Sequence, residues 1–327
     1  MLSMGPHRLT TGPVRQLQSI KSVTQNMNPG NMHICVCICT FRRPRFLTRL
    51  LEALEKQQTE NAFTYSVVVV DNDAEQSAKQ PIEDLYRRSP LDITYYNEPH
   101  QNIALARNMA LRKACGHFVA FIDDDQVPID TWLVELLRTC LDFGADGVLG
   151  PVEPHFEAEP PKWIREVGLF HHPRYRTGYV LDWNETRSGN FLLNRALIDD
   201  ERNLFDPAFS MHGEDKNFFQ RLMQKGHKFV WCDEAVAFET QPTNRLTRKY
   251  HLRRGLLRGS IAYTHAPRKL PALLTSCTAV CLYTLALPFL QISGHHNFMK
   301  YLIKNCDHAG KILAFLGYKV EKHLRSL

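Results

Sequence analysis

The sequence predicts a doubly wound α/β domain, with a mostly parallel sheet and helices on both faces, followed by a helical apolar appendage. Short apolar runs alternate with helical stretches along residues 31–244, which is typical of strand–helix–strand units. The run Tyr65–Val70 is short and continuously apolar, as in a strand that is buried on both faces. A segment of 24 residues without any charge, Leu270–Ser293, follows near the other end of the chain.

The elements follow in order from apolar runs and from helix signals. Strands are predicted over His33–Cys39, Tyr65–Val70, Ile93–Asn97, His117–Ile122 and Gly147–Gly150, and a turn leads into another strand at Ser188–Asn194. Helices are predicted from Pro44 to about Gln58 and over Glu75–Arg88, Asn102–Ala114, Ile129–Leu141 and Gly213–Lys225. Residues 151–187 are expected to form loops, and Lys228–Glu239 one or two short strands. Ligands of such sheets bind at the carboxyl ends of the strands, which points to Thr40, Asp71, Asn97 and Asp123–Asp125.

Composition and charge exclude several classes of protein. The chain has 327 residues, of which 44% are hydrophobic and 23% charged, so wholesale disorder and low-complexity classes are excluded. The net charge of +6 is unevenly distributed, with +3 in residues 1–30, −9 in residues 31–244 and +12 in residues 245–327. An acidic body with a basic tail argues against a general nucleic-acid binder.

The two ends of the chain and its cysteines indicate the cellular compartment of the protein. Residues 1–30 contain no apolar secretion signal and are expected to be a disordered leader. Nine cysteines without any CxxC pair favour reduced thiols and a cytoplasmic compartment. The segment Leu270–Ser293 is long enough to span a bilayer, but basic residues flank it on both sides. This pattern favours a segment that dips into the cytoplasmic leaflet and is held by anionic lipid; a single span and a soluble helix are the alternatives.

The first candidate site is the run Asp123-Asp124-Asp125 at the end of a predicted buried strand. Adjacent carboxylates repel one another, so clustering them is costly unless a cation offsets their charge. Oxygen ligands suit Mg²⁺ or Mn²⁺, which commonly bridge to substrate phosphates. A solvated acidic turn is the alternative, and the position directly after a buried strand favours the metal.

Two further groups of residues are candidates for chemistry. Glu214 and Asp215 begin a predicted helix after His212, where the helix dipole stabilises a carboxylate; they are either simple capping residues or include a general base for a hydroxyl. Thr40 and Asp71 follow strands and precede Arg107 in the chain. A carboxylate can accept from a nucleobase N–H and an arginine can bind a pyrophosphate, whereas an Asx turn is the plainer interpretation of Asp71.

Six segments support a family resemblance when they are taken together. CICTFRRP, VVVVDND, NIALARNMAL, FIDDD, SGNFLL and GEDKNFF occur in this order between about residues 33 and 240. The sequence thereby resembles the inverting glycosyltransferases of family 2, which have the GT-A fold. Residues 235–260 and the apolar segment after them are similar to bacterial members that build exopolysaccharide or lipopolysaccharide at the inner membrane. The QxxRW motif of the cellulose-synthase-like branch is absent, which argues against a processive polymer synthase.

The resemblance implies a role for each matching residue. Asp215 would be the catalytic base, and Glu214 beside it would contact the donor or the acceptor. Asp125 would hold the divalent cation, and Asp123 would face the ribose or the metal. The other residues expected to bind the nucleotide-sugar are Thr40 and Asp71 at the nucleobase, Arg107 near the nucleotide, Asp124 in the middle of the Asp-x-Asp motif, Gly189 and Asn190 under the donor sugar, and Arg245 at the diphosphate or at lipid headgroups.

The implied reaction moves a sugar from a nucleotide-diphosphate donor to a hydroxyl acceptor, with inversion and with Mg²⁺ or Mn²⁺. A UDP-sugar is the favoured donor, and a lipid-linked glycan or cell-envelope polysaccharide is the expected acceptor, with residues 151–187 on its side. The alternatives are a nucleotidyltransferase-type sugar-nucleotide enzyme and a non-catalytic membrane scaffold of the same fold.

The expected domains are a leader (1–30), a GT-A domain (31–244) and a basic, helical tail (245–327) that associates with an anionic membrane surface. No nucleic-acid partner is expected. The expected location is the cytoplasmic face of the inner membrane, with the cytoplasm as the alternative.

Overall fold

The computed structural model describes residues 32–200, 202, 204–209, 213–264 and 268–318. The predicted leader and His212 lie outside these residues. Contacts divide the chain into two compact units: Met1–Val152 with Arg174–Ala237, and Glu153–Pro173 with Phe238–Leu327. The sequence pattern does not indicate that residues 153–173 join the second unit, and the domain limits at 31–244 and 245–327 stay a prediction.

Strands and helices alternate through most of the chain. In chain order they are β1 (Met32–Thr40), α1 (Pro44–Leu54), β2 (Phe63–Asp71), α2 (Lys79–Tyr86), β3 (Ile93–Asn97), α3 (Ile103–Lys113), β4 (Phe118–Ile122), β5 (Gln126–Pro128), α4 (Trp132–Asp142), β6 (Gly147–Leu149), β7 (Val152–Phe156), α5 (Lys162–Val167), β8 (Asn190–Asn194), α6 (Glu214–Gln224), β9 (Phe229–Trp231), β10 (Ala237–Gln241), α7 (Arg248–Thr264), α8 (Lys269–Ile292) and α9 (His295–Phe315).

A seven-stranded sheet forms the centre of the first unit, with strand order β3-β2-β1-β4-β8-β6-β9. β1 pairs in parallel with β2 and β4, and β6 pairs in parallel with β9. β8 alone among the described strands of this sheet runs antiparallel to both of its neighbours. The prediction of a mostly parallel sheet is confirmed. Strand order reverses between β1 and β4, which is the position where ligands bind in open α/β sheets.

Both faces of the sheet are covered by helices, as predicted. Alternate residues of a strand point to opposite faces, and on β1 the residues Ile34, Val36 and Ile38 pack with α1 and α4. Cys35 and Cys37 point the other way and pack with α3 and α6. Cys35 and Cys37 therefore act as small apolar residues in a core.

Helix α2 begins later than its sequence pattern predicts. The carboxylate of Asp71 accepts hydrogen bonds from the backbone N–H of Asp73 (3.1 Å) and of Ala78 (2.8 Å). These bonds hold the chain after β2 in turns, because an aspartate that binds nearby backbone competes with helix formation. The helix therefore starts at Lys79 rather than at Glu75.

The second unit contains close contacts between helices. A Cβ atom on Gly259 of α7 would lie 1.8 Å from the carbonyl oxygen of Asp307 on α9, and one on Gly310 would lie 2.1 Å from the carbonyl oxygen of Leu256. The Asp307 carboxylate also accepts a hydrogen bond from Arg258 Nε at 2.9 Å. Glycine is thus required where the two helix backbones touch.

Helix α8 is the uncharged segment found in the sequence. It is one continuous helix with Pro288 inside it, and it is the one helix among the described residues that is long and apolar enough to cross a membrane. Only 6% of its most apolar 18-residue window is buried. Its large exposed side chains are Leu270, Leu274, Leu282, Leu285, Phe289 and Ile292.

Candidate active site

The acidic triplet lies where the carboxyl ends of β1 and β4 meet. Thr40, the last residue of β1, donates a hydrogen bond from Oγ1 to Asp124 Oδ2 at 2.7 Å. Burial raises the pKa of Asp124 to about 6, and the neighbouring Asp125 carboxylate also raises it. Arg43 and the Thr40 hydroxyl oppose this rise because both stabilise the charged form.

Arg43 bridges two members of the triplet. Its Nη1 atom lies 3.1 Å from Asp124 Oδ1 and 3.1 Å from Asp125 Oδ2. The residue stands between β1 and α1, directly before Pro44, so the turn that begins α1 positions it. This residue is not among the site residues predicted from the sequence. The sequence signal that could have identified it is its position as the second arginine of the segment FRRP, which follows the end of a strand.

Arg107 on α3 connects the triplet to the start of α6. Its Nη1 atom lies 2.7 Å from Glu214 Oε1, and its Nη2 atom lies 3.7 Å from Asp123 Oδ1. Arg107 and Glu214 are both buried. The other carboxylate oxygen of Glu214, Oε2, is buried and has no hydrogen-bond partner among the described residues. An acceptor atom of this kind is costly to leave unpaired, which marks it as a place for a ligand donor.

Asp215 lies in the first turn of α6, after Gly213 at φ +91°. Its Oδ1 atom accepts a hydrogen bond from the backbone N–H of Lys216 at 2.7 Å. The side chain is only partly buried, so its carboxylate is in reach of solvent while the dipole of the helix stabilises its negative charge. The structure thus places Asp215 directly beside the partly unpaired Glu214.

Asp71 lies at the end of β2 and is fully buried. Besides the two backbone N–H groups it binds Tyr95, whose hydroxyl donates to Oδ2 at 3.2 Å. Burial raises the pKa of Asp71, and the hydrogen bonds oppose the rise. The Asp71 carboxylate therefore makes the bonds to nearby backbone that are typical of an Asx turn. Its role at a nucleobase stays a prediction.

Gly189 directly precedes β8 and Asn190 begins it, beside the triplet. A Cβ atom on Gly189 would lie 2.8 Å from Asp123 Oδ2, so a side chain at this position would displace the Asp123 carboxylate. The amide of Asn190 accepts from Trp132 Nε1 (2.7 Å) and donates to the carbonyls of Pro151 (3.0 Å) and Ala235 (2.8 Å). Asn190 thus ties three segments together below the site, a function that the sequence did not reveal.

Arg245 belongs to the second unit. Its Nη1 atom lies 3.1 Å from Glu239 Oε1 and 3.3 Å from Gln241 Oε1. These contacts hold the guanidinium on β10, and its role at a diphosphate or a lipid headgroup stays a prediction.

The residues at the triplet fit a divalent cation. Four carboxylates (Asp123, Asp124, Asp125 and Glu214) are connected with two guanidiniums, which leaves two formal negative charges among these six groups. The Asp123 side chain is half-exposed. Among the described residues no three His, Cys, Asp or Glu side chains form a ready-made metal cage. Mg²⁺ typically takes one or two carboxylates and fills the rest of its shell with water and substrate phosphates, so the donor set suits it.

Open α/β sheets bind nucleotides and other ligands at their topological switch point, which is where the acidic, arginine-bridged site lies. The model of the family "Glycosyl transferase family 2" matches residues 35–202. The succinoglycan biosynthesis protein ExoM of Rhizobium meliloti (strain 1021) is 33% identical over 301 residues, which cover 88% of this chain and 94% of that protein. The chain belongs to glycosyl transferase family 2.

Other relatives agree with this assignment. Hyaluronan synthase of Pasteurella multocida is 25% identical over 255 residues, which are 67% of this chain but 26% of that protein. The crystal structure of S. aureus TarS 1-349 in complex with UDP has a TM-score of 0.51 at 16% identity and covers 88% of this chain and 92% of the TarS chain. The same TarS fragment with UDP-GlcNAc has a TM-score of 0.50 at 17% identity. The predicted GT-A fold is therefore confirmed.

Proposed function

We propose that the chain transfers a sugar from a nucleotide-diphosphate donor to a hydroxyl of a glycan or glycolipid acceptor, with inversion at the anomeric carbon. A UDP-sugar is the favoured donor, and the product belongs to a polysaccharide of the cell envelope. The relatives support this proposal, because ExoM takes part in succinoglycan biosynthesis and TarS has been crystallised with UDP and UDP-GlcNAc. The single observation that carries it is the pair Glu214 and Asp215, connected through Arg107 to the acidic triplet.

The arrangement supports a one-step displacement. Asp215 accepts the proton of the acceptor hydroxyl while that oxygen forms a bond to the anomeric carbon. The bond from this carbon to the diphosphate oxygen breaks on the opposite face, and its electron pair stays with the diphosphate. Glu214 Oε2 accepts a hydrogen bond from a hydroxyl of the bound sugar, which satisfies the buried atom. Mg²⁺ or Mn²⁺, held by Asp123 and Asp125, would neutralise the diphosphate and improve it as a leaving group.

Replacement of the proposed base tests the mechanism. Asp215→Asn keeps the size of the side chain but cannot take up the proton, so we expect transfer to fall by about 10²–10⁴-fold. UDP binding by calorimetry is expected to stay within about threefold, which is below 1 kcal/mol. Asp142→Asn, at an exposed aspartate of α4, is the control and is expected to keep native turnover.

Two outcomes contradict the proposal. Normal turnover of Asp215→Asn excludes this residue as the base. NMR of the product determines its anomeric configuration, and retention of the donor's configuration excludes a single displacement.

We further propose that α8 associates with the cytoplasmic face of the inner membrane. Its exposed surface is apolar, and such a surface is unfavourable in water. Helix α9 packs along α8, with His308 Nδ1 3.2 Å from Ser276 Oγ and Asn305 Nδ2 3.1 Å from Thr284 Oγ1. Because α9 also carries Asp307 and several lysines, a helix pair lying in the plane of the leaflet buries fewer charges than one that crosses the bilayer.

A further inference from the structure

Three aromatic rings of the first unit lie in contact, and the outermost of them is partly exposed. Tyr175 and Tyr179 are parallel, with ring centroids 4.6 Å apart and an interplanar angle of 5°. Trp231, at the end of β9, contacts Tyr175 edge-on at 5.4 Å. Tyr179 is 37% exposed and is the outermost ring. We call these three residues the aromatic platform.

Backbone hydrogen bonds hold the platform on the sheet. Gly178 N donates to Trp231 O and Trp231 N donates to Tyr179 O, both at 2.9 Å. Leu181 N donates to Phe229 O at 3.0 Å. Residues 178–181 therefore extend the sheet beside β9. The exposed ring is positioned by rigid structure, which reduces the entropy cost of binding to it.

A carboxylate adjoins the platform. Tyr179 Oη donates to Glu185 Oε1 at 3.3 Å, and Glu185 Oε2 accepts from the backbone N–H of Asp182 at 2.8 Å. Glu185 also accepts a hydrogen bond from the Tyr175 side chain, and it is only partly buried, so its carboxylate is in reach of solvent. The platform thus combines a flat apolar face with hydrogen-bond acceptors at its side.

The same segment is joined to the start of α6. Lys216 Nζ donates to the carbonyl oxygen of Asn184 at 2.6 Å. Lys216 is the residue directly after Asp215, and Asn184 directly precedes Glu185. One hydrogen bond therefore connects the short turn that carries Glu185 with the helix turn that carries the proposed base.

We propose that the aromatic platform binds the acceptor, and that this acceptor is a pyranose sugar. One face of a pyranose consists of C–H groups and packs against the negative face of an aromatic ring, while its hydroxyls donate to Glu185. An aliphatic alcohol lacks such a flat face and gains little from the stack. This inference rests on the proposed function for the role of Asp215. Its test measures only the binding of a ligand and does not require transfer activity.

Saturation-transfer NMR on the full chain tests the proposal, with methyl β-D-glucopyranoside and methyl β-D-galactopyranoside as probes in the presence of UDP and the diamagnetic cation Mg²⁺. We expect the ring C–H protons of at least one probe to receive saturation. Tyr179→Ala is expected to weaken that binding about tenfold, which corresponds to the loss of one aromatic contact. Tyr179→Trp keeps a flat face and is expected to retain binding.

The control is Leu141→Ala, which removes an exposed apolar side chain of similar exposure, 38%, from α4 of the same unit. It is expected to bind the probe as the native chain does. UDP affinity is measured in every variant and is expected to be unchanged. If neither pyranoside receives saturation, or if Tyr179→Ala binds as well as the native chain, the platform is not an acceptor site. If the native chain does not bind UDP, that result contradicts the proposed function rather than the role of the aromatic platform.

Discussion

Arg43 contacts two of the three carboxylates of the acidic triplet. A single guanidinium nitrogen contacts both Asp124 and Asp125, and these carboxylates are nearly buried. Removing one partner of a buried ion pair leaves an uncompensated charge, which costs more than the pair itself contributes. The triplet therefore depends on Arg43 before any cation is bound.

Arg43→Gln is expected to lower the free energy of unfolding by about 2–4 kcal/mol, somewhat less than for a fully buried pair because the Arg43 side chain is 29% exposed. Mn²⁺ is expected to restore part of the loss, since a bound cation stabilises the folded state. Urea unfolding with and without Mn²⁺ measures both effects, and electron paramagnetic resonance measures bound Mn²⁺ directly.

The neighbouring Arg42 offers a matched control. It is 55% exposed and pairs with Asp73 at 3.1 Å and Glu75 at 3.5 Å, so Arg42→Gln is expected to cost less than about 1 kcal/mol. Equal losses in the two variants, or a loss at Arg43 on which Mn²⁺ has no effect, would contradict this account of the triplet.

At the scale of elements, His251 joins α7 to α5 in the second unit. Its ring packs edge-to-face against Trp163 at 5.6 Å and against Phe170 at 5.4 Å. Burial, together with the nearby positive charges of Arg254 and Arg258, lowers the pKa of His251 to about 4. The helix junction is therefore built around a neutral imidazole.

This junction predicts a loss of stability in mild acid. The unfolded chain takes up a proton at His251 near pH 6.5, whereas the folded chain does so only near pH 4. Because the unfolded state binds more protons in this window, the folded state loses stability as the pH falls from 6.5 to 4, by an amount on the order of 3 kcal/mol. Urea unfolding at several pH values is expected to show a smaller loss for His251→Gln than for the native chain.

His171→Gln, at an exposed histidine of the same unit, is expected to keep the native pH dependence. The other titrating groups are common to all three chains, so the difference between them isolates His251. If His251→Gln lost as much stability as the native chain over this range, the buried neutral imidazole would not be its cause.

At the scale of the whole molecule, charge and apolar surface are separated along the chain. Residues 31–244 have a net charge of −9 and contain the acidic site, whereas residues 245–327 have +12 and contain α8. Anionic lipid attracts the basic residues, and the exposed apolar face of α8 gains free energy on entering hydrocarbon. Both contributions favour attachment of the second unit to a membrane.

Flotation of the full chain with vesicles of phosphatidylcholine and phosphatidylglycerol tests this attachment. The double variant Leu285→Glu with Phe289→Glu changes two exposed residues of α8 and is expected to reduce the bound fraction at least about tenfold, since each burial contributes about 1.5–3 kcal/mol. The control Leu141→Glu with Val180→Glu changes exposed apolar residues of the first unit. An unchanged bound fraction in the α8 variant would refute the attachment.

Much of the fold was predictable because its signals are local. The apolar run of β2 and the Asn102 cap of α3, whose side chain accepts from Ala104 N, both follow from neighbours in the chain. The late start of α2 was not predictable from periodicity, because it depends on side-chain bonds that Asp71 makes to backbone. The assignment of residues 153–173 to the second unit depends on contacts with residues far along the chain.

The sequence by itself determined the fold class, the family, the acidic triplet and the Glu214-Asp215 pair, since strand ends and helix starts can be read from residues that are adjacent in the chain. Only the tertiary structure decided that Arg43 bridges two aspartates, that Arg107 joins Asp123 to Glu214, and that Asn190 is occupied in holding three segments together. Apart from the pair Arg107 and Asp123, these contacts join residues separated by 39 to 107 positions. Tertiary packing determines which residues come into contact over such separations. Patterns of neighbouring residues in the sequence do not reveal these contacts.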